Sequence, residues 1–346
     1  MTRALHPFPR PLAAALLAAG LTACGGEPDV VLYCALDQVF SEELVELFEE
    51  ETGLVVEAVY DTEASKTVGL VASLRSERSA PRCDVFWNNE IANTVALAEE
   101  GLLAPYDSPS AAGIPEDFRD PERRWTGFAA RARVFIVNTE LVPDPSVIGG
   151  MEDLLDPRWA GQVVMARPLT GTTLTHMAAL YSVLGEERAR TFLEAIKRAN
   201  EEGTVNLASS NGQVMRMVSE GQVAWGWTDT DDYNVARERM HPVDRVFPDQ
   251  GGEDSLGTLV IPNTVALVSG APHPEAARKL IDFILSERVE GLLAQSDSAQ
   301  IPVRSSVPRP AHVADLGTVD VMEVDFGAVG RDLPRRQREL QELFLD

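Results

Sequence analysis

Five consecutive residues, Asp229-Thr230-Asp231-Asp232-Tyr233, bring three carboxyl groups, a hydroxyl and a phenol together directly after an apolar run. Carboxylate and phenolate oxygens are hard donors, so this group suits a metal cation or an amine. The same residues also suit the start of a helix, where Asp and Thr accept hydrogen bonds from the first N–H groups and favour the positive dipole end. One acid meets that need, and three exceed it. Further hydroxyl-rich turns stand ahead of helical patterns: Asp61 to Thr67, which includes Ser65 and Lys66, then Gly171-Thr172-Thr173, then Ser209-Ser210-Asn211. Exposed N–H groups there can hold a carboxylate, phosphate or phosphonate, or an anion beside a metal, and helix capping is the alternative reading. Arg131 and Arg133 share one face of a strand, to pair with an anion in a cleft or to form salt bridges across a hinge. Trp87, Trp225 and Trp227 stand near strand ends, where a ring can stack on an organic cation, although core packing is the commoner fate. His176 lies inside a helical pattern and reads as a packed histidine.

Placing these residues requires an alternation of strands and helices. Strands are expected at Val30 to Ala35, Leu54 to Tyr60, Asp84 to Trp87, Phe128 to Val137, Val163 to Ala166, Val223 to Trp227 and Thr258 to Ser269. Between and after them, helical spacing predicts helices at about 40–50, 65–77, 90–101, 174–184, 187–200, 212–220 and 274–285. Such alternation gives an α/β fold with parallel strands and right-handed crossovers, and ligands then sit beyond the carboxyl ends of the strands. The chain leaves a first unit near Ala130 and returns near Gly257. Two crossings make a hinge, and a hinge between facing strand ends makes a cleft. The expected architecture is two-lobed, each lobe a mixed sheet flanked by helices, with a hinge of crossing strands. Lobe 1 comprises residues 30–129 and 257–297; lobe 2 comprises 130–256 and 298–346, ending in a charged amphipathic helix from Arg331 to Leu345. No internal repeat or low-complexity tract is visible in the sequence.

Charge and chain ends narrow the function. The chain has 30 Lys and Arg against 54 Asp and Glu, a formal net charge of −24. That balance argues against nucleic acid and against attachment to anionic lipid by basic surface. Arg3 and Arg10 supply a positive segment ahead of an apolar run from Pro11 to Leu21, and Leu21-Thr22-Ala23-Cys24 reads as a lipobox. Residues 1–23 are accordingly expected to be a lipoprotein signal peptide, with Cys24 lipidated and residues 24–29 forming a tether. No later apolar run approaches the ~20 residues of a membrane span. The expected location is the periplasm or extracytoplasmic face, with the membrane reached through the N-terminal lipid only. In that oxidising compartment Cys34 and Cys83 can form a disulfide if their Cα atoms come within about 7 Å. Two cysteines without a nearby histidine do not suggest zinc. No Gly-x-Ser-x-Gly elbow, P-loop or His-Glu-x-x-His is present, and the five histidines leave few general bases, so catalysis is not expected.

Several segments carry a family resemblance: Val31-Leu32-Tyr33 with Asp37, Asp84-Val85-Phe86-Trp87, Glu100-Gly101-Leu102-Leu103-Ala104-Pro105, Leu154-Leu155-Asp156-Pro157-Arg158-Trp159, Asn234-Val235-Ala236-Arg237-Glu238, and Ala276 to Phe283. In this order and spacing, from about Val30 to Arg304, the chain resembles the ferric-type branch of periplasmic solute-binding proteins. The resemblance implies the type II periplasmic-binding fold and a monomer that closes over a small ligand and docks on an ABC permease with its ATPase. It also implies a ligand set. The family's first position falls on Asp37, its Glu position on Asn89 beside Glu90, and its tyrosine pair on Thr230-Asp231, with Tyr233 the nearest phenol. The expected ligand is ferric iron or a similar small cation held by Asp37, Glu90, Asp231 and Tyr233 with a synergistic anion, and with no catalytic cofactor. Ser65, Lys66, Thr172, Thr173, Asp229 and Asp232 are expected to complete the shell. The alternative, favoured by the missing tyrosine pair and the hydroxyl-rich turns, is an organophosphonate, a sugar phosphate or a small amine.

Overall fold

The computed structural model describes residues 27–61, 68–252 and 255–345. The expected signal peptide, Cys24, Ser65 and Lys66 lie outside the described residues. In chain order the elements begin β1 (Val30–Cys34), α1 (Gln38–Thr52), β2 (Val56–Tyr60), α2 (Val68–Ser76), β3 (Val85–Asn88), α3 (Ala92–Glu99) and β4 (Leu103–Ala104). The middle of the chain forms β5 (Thr126–Asn138), β6 (Val163–Ala166), α4 (Gly171–Leu184), α5 (Glu186–Glu201), β7 (Asn206–Ala208), α6 (Asn211–Ser219), β8 (Trp225–Asp229), α7 (Thr230–Glu238) and β9 (Val243–Val246). The chain ends with β10 (Val260–Val268), α8 (Pro274–Ile284), α9 (Glu287–Gln295) and α10 (Phe326–Leu345). Among the described residues no helix is long and apolar enough to cross a membrane.

The hydrophobic pattern explains the elements. In α1, Leu44, Val45 and Phe48 fall on one face and are buried, and Gly53 ends the helix at φ 69, returning its N–H to the Glu49 carbonyl. All 13 residues of β5 are buried, consistent with its unbroken apolar run from Val134 to Val137. The strands form a continuous path, β2-β1-β3-β10-β5-β8-β6-β7, with β4 paired to β10 and β9 to β5. On one side β2, β1 and β3 are parallel and β10 runs against β3 and β4. On the other, β7, β6 and β8 are parallel and β5 runs against β8 and β9. The two halves therefore share one strand plan although their sequences show no repeat.

Strand β5 belongs to both halves. Its residues Thr126 to Ala132 pair with β10, and Arg133 to Val137 pair with β8. At the crossing, the β5–β10 register shifts between Pro262 and Asn263, and Ala129 and Ala299 have φ of 38 and 45. These are left-handed conformations that L-residues rarely adopt. The buried Glu290 carboxylate accepts the Ala129 N–H at 3.1 Å and the Val303 N–H at 2.7 Å, and pairs with buried Arg304 at 2.9 Å. Large side chains close the core on each side: Trp87 lies 5.7 Å from Phe128, and Phe135 lies 4.8 Å from Trp225 and 5.4 Å from Trp227.

Helix α10 rests on α3 of the first half and α4 of the second. The approach to α3 is close: a Cβ on Gly330 would overlap the Val95 side chain. Farther along, the Arg336 guanidinium lies 3.7 Å from the Tyr181 ring and pairs with Glu186 at 2.6 Å.

The disulfide that the sequence left possible is not formed, since Cys34 and Cys83 are both free and buried. The register explains this. Cys34 stands opposite Trp87, so Cys83 lies four positions further down the ladder, roughly 13 Å away. That separation exceeds what a bridge can span. Burial pushes the Cys34 thiol up to about 12.

Candidate functional site

Strand ends in both halves turn into helices around one cavity of about 190 Å³. The first half supplies Asp37, Val39, Phe40 and Asn89. The second supplies the start of α4 (Thr170, Gly171, Thr172, Thr173), the start of α6 (Ser210, Asn211, Gly212) with Met215 and Arg216, and Asp229, Asp231 and Asp232. Arg131 enters from β5. Four helices, α1, α4, α6 and α7, begin at this cavity, so their positive dipole ends converge there. Ser210 caps α6 by accepting the Gln213 N–H at 3.2 Å, whereas Asp37, Thr170 and Asp229 give no side-chain cap to the helices they precede. Gly171 begins α4 at φ 58, a conformation glycine adopts without steric cost.

Two buried arginines on one face of β5 organise the carboxylates. Arg133 donates to Asp229 at 2.7 Å, to Thr172 at 3.2 Å and to Thr173 at 3.3 Å. Asp229 also accepts the Thr172 hydroxyl at 2.6 Å and the Asn211 amide at 2.9 Å, so both its oxygens are engaged within the protein. Arg131 pairs with Asp231 at 3.1 Å and donates to Asn263 at 3.2 Å. Burial works against the Arg131 charge, but the carboxylates of Asp231, Asp229, Asp37 and Asp232 outweigh it and hold the guanidinium above its ordinary value. Asp231 accepts the Asp232 N–H at 3.0 Å, and Asp232 accepts the Thr228 hydroxyl. Carboxylate oxygens of Asp229, Asp231 and Asp232 lie within 4.8 Å of one another, close enough for a shared cation.

Of the ten residues expected to form the binding shell, the cavity unites six and leaves Glu90 and Tyr233 outside, while Ser65 and Lys66 lie outside the described residues. Asp37, Thr172, Thr173, Asp229, Asp231 and Asp232 all line it. Glu90 does not. Its fully buried carboxylate accepts the Ala92 N–H at 2.7 Å, the Asn93 N–H at 3.1 Å, the Asn88 amide at 3.0 Å and the Thr175 hydroxyl at 2.6 Å. It fixes the start of α3 and reaches across to α4, while its neighbour Asn89 lines the cavity. Tyr233 is also outside: it is buried in the core of the second half, with the Arg245 guanidinium 5.0 Å from its ring. Each residue turns about 100° around a helix, so a face presenting Asp231, Asp232 and Val235 points Tyr233 elsewhere.

Trp87, Trp225 and Trp227 are fully buried core residues. His176 packs 4.6 Å from Trp227, and burial with nearby Arg133 holds its ring well below the usual histidine range. Sequence reasoning passed over Val39, Phe40, Met215 and Arg216. The last two follow from helical spacing, because Met215 and Arg216 lie four residues after Asn211 and Gly212, which also line the cavity on α6.

Known proteins resemble this arrangement. The sequence model of the family described as bacterial extracellular solute-binding protein matches residues 93–318. The chain is 28% identical to Iron uptake protein A1 of Synechocystis sp., covering 86% of this chain and 85% of that protein. It is 27% identical to the Fe(3+)-binding periplasmic protein of Serratia marcescens, covering 90% and 89%. It is 26% identical to the putative 2-aminoethylphosphonate-binding periplasmic protein of Salmonella typhimurium, covering 69% and 67%. Among solved structures, the periplasmic binding protein AfuA of Actinobacillus pleuropneumoniae, with fructose-6-phosphate bound, superposes with a TM-score of 0.79 at 21% identity, covering 91% of this chain and 98% of that one.

Proposed function

The chain belongs to the bacterial extracellular solute-binding proteins, and from that premise we propose that it captures, for an ABC importer, a small solute bearing both an acidic group and an amine or hydroxyls. The observation that carries this reading is the pairing of opposite charges in one cavity. Arg131, Arg216 and the converging helix starts favour an anion, while Asp37, Asp231 and Asp232 offer acceptors to a cationic or hydroxylic end. A phosphonate or phosphate with a polar body matches both ends. Such ligands are named for the Salmonella relative and for the fructose-6-phosphate complex.

Capture follows from the geometry. Residues of both halves line the cavity, so a solute touching all of them favours the closed arrangement by the difference in contacts between closed and open forms. The permease and its ATPase would then receive the closed form. The proposal includes a lipid anchor at Cys24, an extracytoplasmic monomer, and binding without catalysis, on the strength of the Leu21 to Cys24 sequence and the missing catalytic motifs.

Ferric iron is the second reading. It is favoured by the mutual proximity of the Asp229, Asp231 and Asp232 oxygens and by the iron-related names of two relatives. It is weakened because Glu90 and Tyr233 do not reach the cavity and Asp229 is engaged by Arg133. Thermal unfolding with 2-aminoethylphosphonate, fructose 6-phosphate and ferric citrate separates the readings. Saturation at about 100 times Kd stabilises by about 2.7 kcal/mol, a rise of several degrees. A rise with a phosphorus-containing solute supports the proposal. Stabilisation by ferric citrate alone replaces it with the iron reading.

A further inference from the structure

We infer that Arg131 is the selectivity element of the cavity: a cation tethered to the hinge strand among four carboxylates, it takes the place a free metal ion would occupy and turns an acidic cluster into a receptor for an anion. This deepens the function proposed above and rests on it. The argument begins with position. Arg131 lies on β5, which pairs with strands of both halves, is 2% exposed, and lines the cavity. Its guanidinium bonds Asp231, a member of the one acidic group with metal-like spacing among the described residues, and lies in the field of Asp229, Asp37 and Asp232.

A guanidinium cannot shed its proton to make room for another cation. An incoming metal ion would therefore meet a fixed positive charge alongside the carboxylates meant to bind it. Asp229, the third acid of the group, is likewise held by Arg133 at 2.7 Å. Arg131 also retains unused donor capacity: its Nε–H has no acceptor among the described residues, and Asp231 and Asn263 take only its two terminal nitrogens. A buried donor without an acceptor is costly, and an oxygen-rich anionic group can supply the acceptor. The cluster thus orients Arg131, and Arg131 in turn selects against metal and for acid.

The test measures binding calorimetrically for native protein, Arg131→Gln and Arg131→Lys, with MnCl2, ferric citrate and 2-aminoethylphosphonate. Native protein and Arg131→Lys are expected to bind neither metal appreciably. Arg131→Gln is expected to gain metal affinity at least roughly tenfold, the effect of removing one nearby like charge. Metal binding by native protein as tight as by Arg131→Gln overturns the inference, and so does an Arg131→Gln variant that folds and gains none. If Arg131→Gln does not fold, the native arm still decides, because micromolar Mn2+ binding with Arg131 in place sinks the claim and its absence supports it. The phosphonate arm reports separately. Failure of that solute to bind native protein counts against the proposed function, whereas the metal arms judge Arg131 alone.

Discussion

The two halves repeat one strand plan, yet the corresponding turns at their third strands do opposite things. The turn from β3 to α3 carries Glu90, and the turn from β8 to α7 carries Asp229; both carboxylates are buried. Glu90 faces inward and satisfies the first amides of its own helix, together with Thr175 of the other half. Asp229 gives its helix no cap and bonds instead to Arg133, Thr172 and Asn211. The start of α7 is thereby left to face the cavity with Asp231 and Asp232. Topology fixes where a strand ends, but the partner chosen by a single acid decides whether that end is tied into the core or faces the cavity. A third acid, Asp249, shows burial prevailing over a single backbone partner: burial raises it to about 6, the hydrogen bond from the Met151 backbone opposes the rise, and nearby Glu152 and Asp153 add to it.

Breaking each partnership should rank these cases. Arg133→Met leaves Asp229 buried without its counter-charge, and the loss should be largest, about 3–5 kcal/mol by denaturant unfolding. Glu90→Ala strips acceptors from two backbone amides and a hydroxyl, and should cost about 2–3 kcal/mol while disturbing the contact with α4. Asp37→Asn should act on binding rather than folding, weakening the solute about tenfold by calorimetry, near 1.4 kcal/mol. An equal loss of stability from Glu90→Ala and Asp37→Asn would abolish the distinction between structural and cavity-facing acids.

Asp249 gives the smallest effect, with a defined sign. Its folded pKa is raised, so the folded protein holds the proton more tightly, and stability should fall as pH rises from about 4 to about 6. Because the group is only partly buried, about 1 kcal/mol is expected, and Asp249→Asn should flatten that slope.

Much of this was legible in the sequence, for identifiable reasons. Strand β6 emerged with the limits expected, because four apolar residues flanked by polar turns leave little choice. Asp37, Thr172 and Asp231 line the cavity, and each stands where an apolar run gives way to a helical pattern. Glu90 was misplaced by a single residue: either it or Asn89 can follow the strand, and only the geometry of the turn decides which faces inward. Tyr233 failed on helical angle, and the Cys34–Cys83 bridge failed on a ladder register that composition does not encode. The shared strand plan was invisible because equivalent strands need only be apolar, not alike. Pairing of Arg131 with Asp231 and of Arg133 with Asp229 joins residues about a hundred positions apart, a contact that local pattern cannot report.

Strand β5 has a consequence for the independence of the halves. One uninterrupted backbone supplies hydrogen-bonding edges to two sheets, so removing either half exposes bare N–H and C=O groups along buried apolar sequence. Such a fragment would be prone to aggregate rather than persist as a stable lobe. The two parts are chemically inseparable along the chain, and recombining lobes between relatives would have to carry this strand whole.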